Sequence, residues 1–132
     1  MRYLTDRKRA VGLGAGGTGA AHQWFMTVTA VALLILIPAL IFILGHAIGL
    51  PRAEAMAYMG RPFPAIVTGL ALVVGMRHYI KGVKMMLEDY TDGMLREVLV
   101  IGTTLLGYAV MAAGLYGLVV VSVFSAATNP VM

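Results

Sequence analysis

Cysteine is absent from this chain. That excludes a disulfide framework, a thiolate zinc site and a cysteine-held iron–sulfur cluster within it. Charge is scarce as well. Charged residues are 12 % of the 132 positions, where soluble domains carry roughly 25 %. A water-soluble ball of this size could not cover its surface with so few charges, so a soluble globular enzyme is excluded. Acidic side chains number six, and none of them falls inside a long apolar run. That argues against a transporter driven through an intramembrane carboxylate. What is abundant is apolar surface: 60 % of residues are of the AVILMFWYC class and the mean hydropathy is +0.87. Such a composition also excludes disorder, which needs low hydrophobicity.

Three apolar stretches organise the chain as a single domain over residues 1–132. The first runs from about Trp24 to Ile48 and lacks Asp, Glu, Lys and Arg. At ~1.5 Å per residue it reaches ~36 Å, enough for a ~30 Å hydrocarbon core. Pro38 lies inside it and is tolerated in a bilayer where neighbours satisfy the freed carbonyl. The second runs from about 64 to 87, clean in its first half and basic in its second. The third, about 98–123, is uncharged and rich in Gly, Ala and Val, and Ser125–Met132 reads as a short polar tail. The first stretch is too long for a signal-peptide core and follows a 1–23 arm, so it reads as a retained helix. No period of 20–50 residues repeats, which leaves no inverted-repeat transporter pattern.

The net charge is +4, and its placement reads as membrane topology rather than nucleic-acid binding. Arg2, Arg7, Lys8 and Arg9 sit in the arm; Arg77, Lys81, Lys84 and Arg96 sit around the second loop. The first loop has Arg52 and Arg61, and the tail has no Lys or Arg. The positive-inside rule then predicts a cytoplasmic N-terminus and an outside C-terminus.

Several residues are candidates for chemistry. Gly12-Leu13-Gly14-Ala15-Gly16-Gly17 matches G-x-G-x-x-G literally, but no strand precedes it, so it reads as a surface segment rather than a nucleotide site. His22 and Trp24 read as interfacial anchors, and His46 as an interfacial residue or a helix C-terminal partner. His78 lies well inside the second stretch, where an ionisable residue is a functional candidate. Gly75 and Gly82 share its helical face and outline a notch for a flat ring system. Haem ligation and a hydrogen bond to a neighbouring helix both remain open from the pattern alone. Arg77, Lys81 and Lys84 form a basic stripe that suits either lipid phosphates or haem propionates. Asp92-Gly93 is a turn signal, which puts Asp89 and Tyr90 at the membrane border. Tyr90 there is either a belt residue or a hydrogen-bond donor to a quinone carbonyl, held by the carboxylate beside it.

His78, ten residues, then Asp89-Tyr90 resembles the H-x10-D-Y signature of the smaller membrane-anchor subunits of succinate dehydrogenase. Upstream, Gly12-Leu13-Gly14, Gly19, His22-x-Trp24 and Val28-Thr29-Ala30-Val31-Ala32-Leu33 resemble the start of the first helix in bacterial members. The resemblance implies His78 as one axial ligand of a b-type haem, its iron shared with a larger cytochrome b-type anchor subunit. It implies Tyr90 as the hydrogen-bond partner of ubiquinone with Asp89 in support. Arg77 and Lys81 become contacts for haem propionates or lipid. It implies an iron–sulfur subunit and a flavoprotein subunit as partners, and a multi-pass place in the bacterial inner (cytoplasmic) membrane. One departure stands out: Thr27 occupies a position where the family often has Arg.

The expected fold is therefore an all-α integral membrane protein with three transmembrane helices packed against a partner anchor subunit. The expected role is anchoring a succinate:quinone oxidoreductase and forming part of its quinone site. The rivals are an anchor of a quinol:fumarate reductase, a small transporter, and a membrane adaptor without cofactor.

Overall fold

Long runs without charge can satisfy their backbone inside a bilayer only as helices or closed barrels. Here they do so as helices. The computed structural model describes residues 5–12 and 19–128. Its elements are α1 (Asp6–Val11), α2 (Gly19–Ile48), α3 (Arg52–Met59), α4 (Pro62–Tyr90) and α5 (Gly93–Thr128). Among the described residues there is no strand, and α2, α4 and α5 are long and apolar enough to cross a membrane. They hold 30, 29 and 36 residues, or ~45, ~44 and ~54 Å at ~1.5 Å per residue. Each therefore exceeds a ~30 Å core and projects beyond it or tilts.

The helices are longer than the apolar runs that announce them. α2 begins at Gly19, so His22 and Trp24 lie within it, and it runs unbroken through Pro38. α4 starts with Pro62, whose missing N–H needs no partner at a first helical position. It continues to Tyr90, where Thr91 turns extended and its N–H caps the Leu87 carbonyl at 3.0 Å. Gly93 then opens α5 at φ +59, a left-handed conformation that glycine takes without strain. The third apolar stretch ends near Val123, yet the helix carries on through Ser125 to Thr128, and residues 129–132 lie outside the described residues. Of the G-x-G-x-x-G match, only Gly12 is described; residues 13–17 fall outside.

α4 is the middle helix. It packs against α2 on one side and α5 on the other, while α2 and α5 do not meet. The result is a layer with little core of its own: among the described residues, Ile43, Pro64, Ala71, Ile80 and Leu87 are its buried apolar side chains. Gly107 and Gly114, seven residues apart, seat α5 on α4. A Cβ on them would come within 2.6 Å of Ile80 Cγ1 and Leu72 Cδ2 respectively. Gly102 and Gly117 face open space instead, which leaves a small-residue face of α5 free for a neighbour. Leu34, Ile35 and Phe42 on α2 are similarly exposed.

The short α3 ties the far end of the layer together. Ser125, 1 % exposed, donates from Oγ to the Ala57 carbonyl at 3.3 Å. Gly60 sits against it so closely that an added Cβ would collide with Ser125 Cβ and Oγ and stand 3.2 Å from the Val121 carbonyl. These are short or main-chain groups with no room to swing away. Gly60→Ala should therefore destabilise the protein by roughly 1–3 kcal/mol, the usual cost of overpacking. Removing the colliding atoms with Ser125→Gly in the same chain should restore part of that, less the ~1 kcal/mol that glycine costs in a helix. Thermal melting of the detergent-solubilised protein reads both, and an unchanged midpoint for Gly60→Ala would mean that the contact between α3 and α5 is loose.

Candidate functional site

The α2–α4 seam carries the candidate residues. Along α2, His22, Phe25, Met26, Thr29 and Leu33 recur at spacings of three and four, one stripe of a helix. Along α4 the opposing stripe holds Gly75, His78 and Gly82. The structure places α2 against both glycines. A Cβ on Gly75 would stand 3.7 Å from Leu33 Cδ2, and one on Gly82 would stand 3.6 Å from Met26 Cε. The notch expected beside His78 is thus occupied by this chain's own first long helix.

His78 is half-buried in that seam, and its Nδ1 lies 2.8 Å from Thr29 Oγ1. Its Nε2 has no partner among the described residues and is not among the enclosed polar atoms. One ring nitrogen is therefore engaged and the other is accessible. This donor arrangement fits an axial ligand to a haem iron, since a metal-bound imidazole normally has its second nitrogen hydrogen-bonded. Among the described residues, no three His, Asp or Glu side chains come together that could hold a metal ion.

One turn away the seam opens into a groove of about 690 Å³. His22, Phe25, Arg77, Lys81, Lys84 and Glu88 are among its lining residues. The Arg77 guanidinium stands 5.7 Å from the centroid of the Phe25 ring, a cation–π contact. Lys84 is 3.7 Å from Glu88, whereas Arg77 and Lys81 have no acidic partner among the described residues. The groove therefore presents two uncompensated cations, and the enclosed Nε2 of His22 also lacks a hydrogen-bond partner. Chemically it suits an anionic group such as a carboxylate or phosphate. The structure thus moves His22 from a simple interfacial anchor to a groove-lining residue. Its position seven residues before Thr29 on the same helical stripe was the available signal.

Because α4 is continuous, Asp89 and Tyr90 sit on the same helix as His78. At ~100° per residue, Asp89 returns to within about 20° of the His78 direction, whereas Tyr90 points about 120° round and lies ~18 Å along the axis. Tyr90 is 85 % exposed. It makes no hydrogen bond with Asp89 or any other described residue. Thr27, at the position where Arg was expected, donates to the Gln23 carbonyl of its own helix at 3.0 Å.

The opposite end of the layer is different. His46 packs its ring 4.6 Å from that of Tyr58 at 59°, beside a smaller groove of about 270 Å³ that Arg61 and Glu54 also line. The basic residues of α4 and the start of α2 therefore share one end, and α3 with the last turns of α5 forms the other.

Known proteins align with this arrangement. A curated relative from Paracoccus denitrificans, named succinate dehydrogenase hydrophobic membrane anchor subunit, is 48 % identical over 118 residues, covering 89 % of this chain and 92 % of the relative. No solved structure matches. Residues 1–121 match the family of succinate dehydrogenase/fumarate reductase transmembrane subunits. With a match over nearly its whole length and three helices able to span a membrane, the chain belongs to that family.

Proposed function

We propose that this chain is the smaller hydrophobic anchor subunit of a succinate dehydrogenase in a bacterial inner membrane. In this reading it holds the flavoprotein and iron–sulfur subunits at the cytoplasmic face. It shares a b-type haem with a larger cytochrome b-type anchor subunit and contributes to the ubiquinone site. The observation that carries the reading is His78: a lone imidazole within a membrane-spanning helix, one nitrogen held by Thr29 and the other unpaired and accessible. A bound haem supplies a one-electron carrier whose potential its axial ligands tune. This chain's own part is to hold and orient. His78 offers Nε2 to the iron, and Arg77 and Lys81 meet propionate or lipid-phosphate charge in the groove. Tyr90 donates a hydrogen bond to a quinone carbonyl, with Asp89 nearby to favour that proton donor. The exposure of Tyr90 and of the Gly102/Gly117 face is consistent with partner subunits completing the pocket.

The family covers succinate dehydrogenases and fumarate reductases alike. The relative's name and its 48 % identity favour the succinate-oxidising direction. The convergence of Lys81, Lys84 and the start of α2 at one end supports a cytoplasmic placement of that end. Purification of the complex with its partner subunits tests the assignment. A reduced-minus-oxidised absorbance spectrum should show a low-spin b-type haem in proportion to this chain. An intact complex with succinate:quinone activity and no haem would overturn the haem-sharing role. Purification of the chain as a free monomer with no associated subunits would overturn the anchor role.

A further inference from the structure

The Thr29 hydroxyl stands among three groups that compete for it. Its Oγ1 is 2.8 Å from the Phe25 carbonyl, 3.1 Å from the Met26 carbonyl and 2.8 Å from His78 Nδ1. A hydroxyl has one proton to give and two lone pairs. Both carbonyl oxygens can only accept. If the proton pointed at Nδ1, the hydroxyl lone pairs would face two carbonyl oxygens at hydrogen-bond distance with no proton between them. The arrangement that satisfies every atom has Thr29 donating back to its own helix and accepting from Nδ1–H of His78. Nδ1 then carries the ring proton, and the lone pair of the neutral imidazole sits on Nε2.

We infer that Thr29 is a positioning residue for His78: it fixes the ring's tautomer and rotation so that Nε2 is presented as a ligand. The inference rests on the reading of His78 as an axial ligand and goes beyond it, because it assigns a role to a residue on a different helix, 49 positions away. Three features support it. Thr29 is itself held: the back-bonds to Phe25 and Met26 restrict its χ1, so its oxygen is a fixed acceptor rather than a swinging one. Met26 and Leu33 flank it, packed against Gly82 and Gly75, so the two helices hold Thr29 and His78 face to face. Nε2, by contrast, has no hydrogen-bond partner among the described residues. An acceptor on Nδ1–H also makes the opposite nitrogen more basic, which strengthens its bond to the metal and favours the oxidised iron.

The test uses the assembled complex, with Thr29 changed three ways. Thr29→Val keeps the shape and removes the acceptor. Thr29→Ser keeps the hydroxyl and removes the methyl, and Thr29→Ala removes both. In Val and Ala, haem affinity should fall by about 10- to 100-fold, the usual cost of losing an outer partner of a metal-bound histidine. The haem that remains should have a raised midpoint potential and a shifted low-spin EPR signal, while Ser stays near the unaltered protein. Should the Val variant fail to assemble, the Ser and Ala pair still isolates the hydroxyl. Unaltered EPR and potential in Val or Ala would overturn the inference, and so would a Ser variant as defective as Ala. A parallel His78→Ala complex separates the two levels. If that variant keeps the native signal, the ligand reading fails and this inference with it. If it loses the signal while Thr29→Ala does not, only the role of Thr29 fails.

Discussion

Replacing Tyr90 with Phe should slow quinone reduction by roughly 30- to 1000-fold. Oxidation of succinate by an artificial acceptor that draws electrons from the soluble subunits should be left almost intact. Tyr90 ends α4, is largely exposed, and bonds to no other described residue. The substitution therefore costs this chain one hydroxyl and no internal contact. If the hydroxyl donates to a quinone carbonyl, that bond strengthens as negative charge builds on the oxygen. Losing one such donor typically raises a barrier by about 2–4 kcal/mol, which converts to the rate range given. Where quinone binding limits turnover, the loss moves into KM instead. Asp89→Asn should give a smaller change of the same kind. Asp89 points about 100° away from Tyr90 on the helix, so it acts through the field it contributes and not through a direct bond. Equal losses in both assays would assign Tyr90 to subunit contact. No loss in either would leave it an ordinary interfacial tyrosine.

The parts of this fold that depend on one helix at a time were legible in the sequence. Apolar runs long enough to span announced α2, α4 and α5, the second of them basic in its last half. Asp92-Gly93 marked the turn that the positive φ of Gly93 bears out. The signals for α3 were also present: Pro51 ahead of Arg-Ala-Glu-Ala-Met-Ala and Gly60 behind it. Two apolar spans with a short loop between them hid that segment. What the sequence could not reveal was which helix faces which. Gly75 and Gly82 have the right period for a notch, yet period does not say what fills it, and α2 does. Gly102, Gly107, Gly114 and Gly117 all lie inside one apolar run, but Gly107 and Gly114 meet α4 whereas Gly102 and Gly117 meet nothing among the described residues. Thr29 read as one position of the apolar segment Val28–Leu33 that carries the family resemblance, with no role of its own. Its importance comes from a contact across 49 residues, which no local pattern encodes. The groove likewise joins residues from two helices, so neither His22 nor Phe25 could be tied to Arg77 beforehand.

Replacing His78 with Ala should remove or strongly weaken haem binding while the helices still insert and pack. Within this chain, His78 contributes one hydrogen bond between helices. Such bonds in membranes average about 0.6 kcal/mol by double-mutant cycles, too little to decide whether α2 and α4 associate. Met26 and Leu33 remain against Gly82 and Gly75, so the seam keeps its apolar contacts. The haem, in contrast, would lose an axial ligand. Haem content should then fall by more than the 10- to 100-fold that loss of an outer partner costs. Any haem retained should be five-coordinate or take up a foreign ligand, and either change is visible in the optical and EPR spectra of the purified complex. An unchanged low-spin bis-histidine signal would show that both axial ligands come from elsewhere. Residual quinone reductase activity is a poor substitute for the spectra, because a haem beside the main electron path can be lost with little effect on turnover. The spectral result also governs how the basic groove is read. If His78→Ala empties the site and Arg77 and Lys81 serve the propionates, neutralising both cations should weaken haem retention on its own. If they meet lipid phosphate instead, neutralising them should leave the haem signal unchanged and reduce co-purifying anionic lipid.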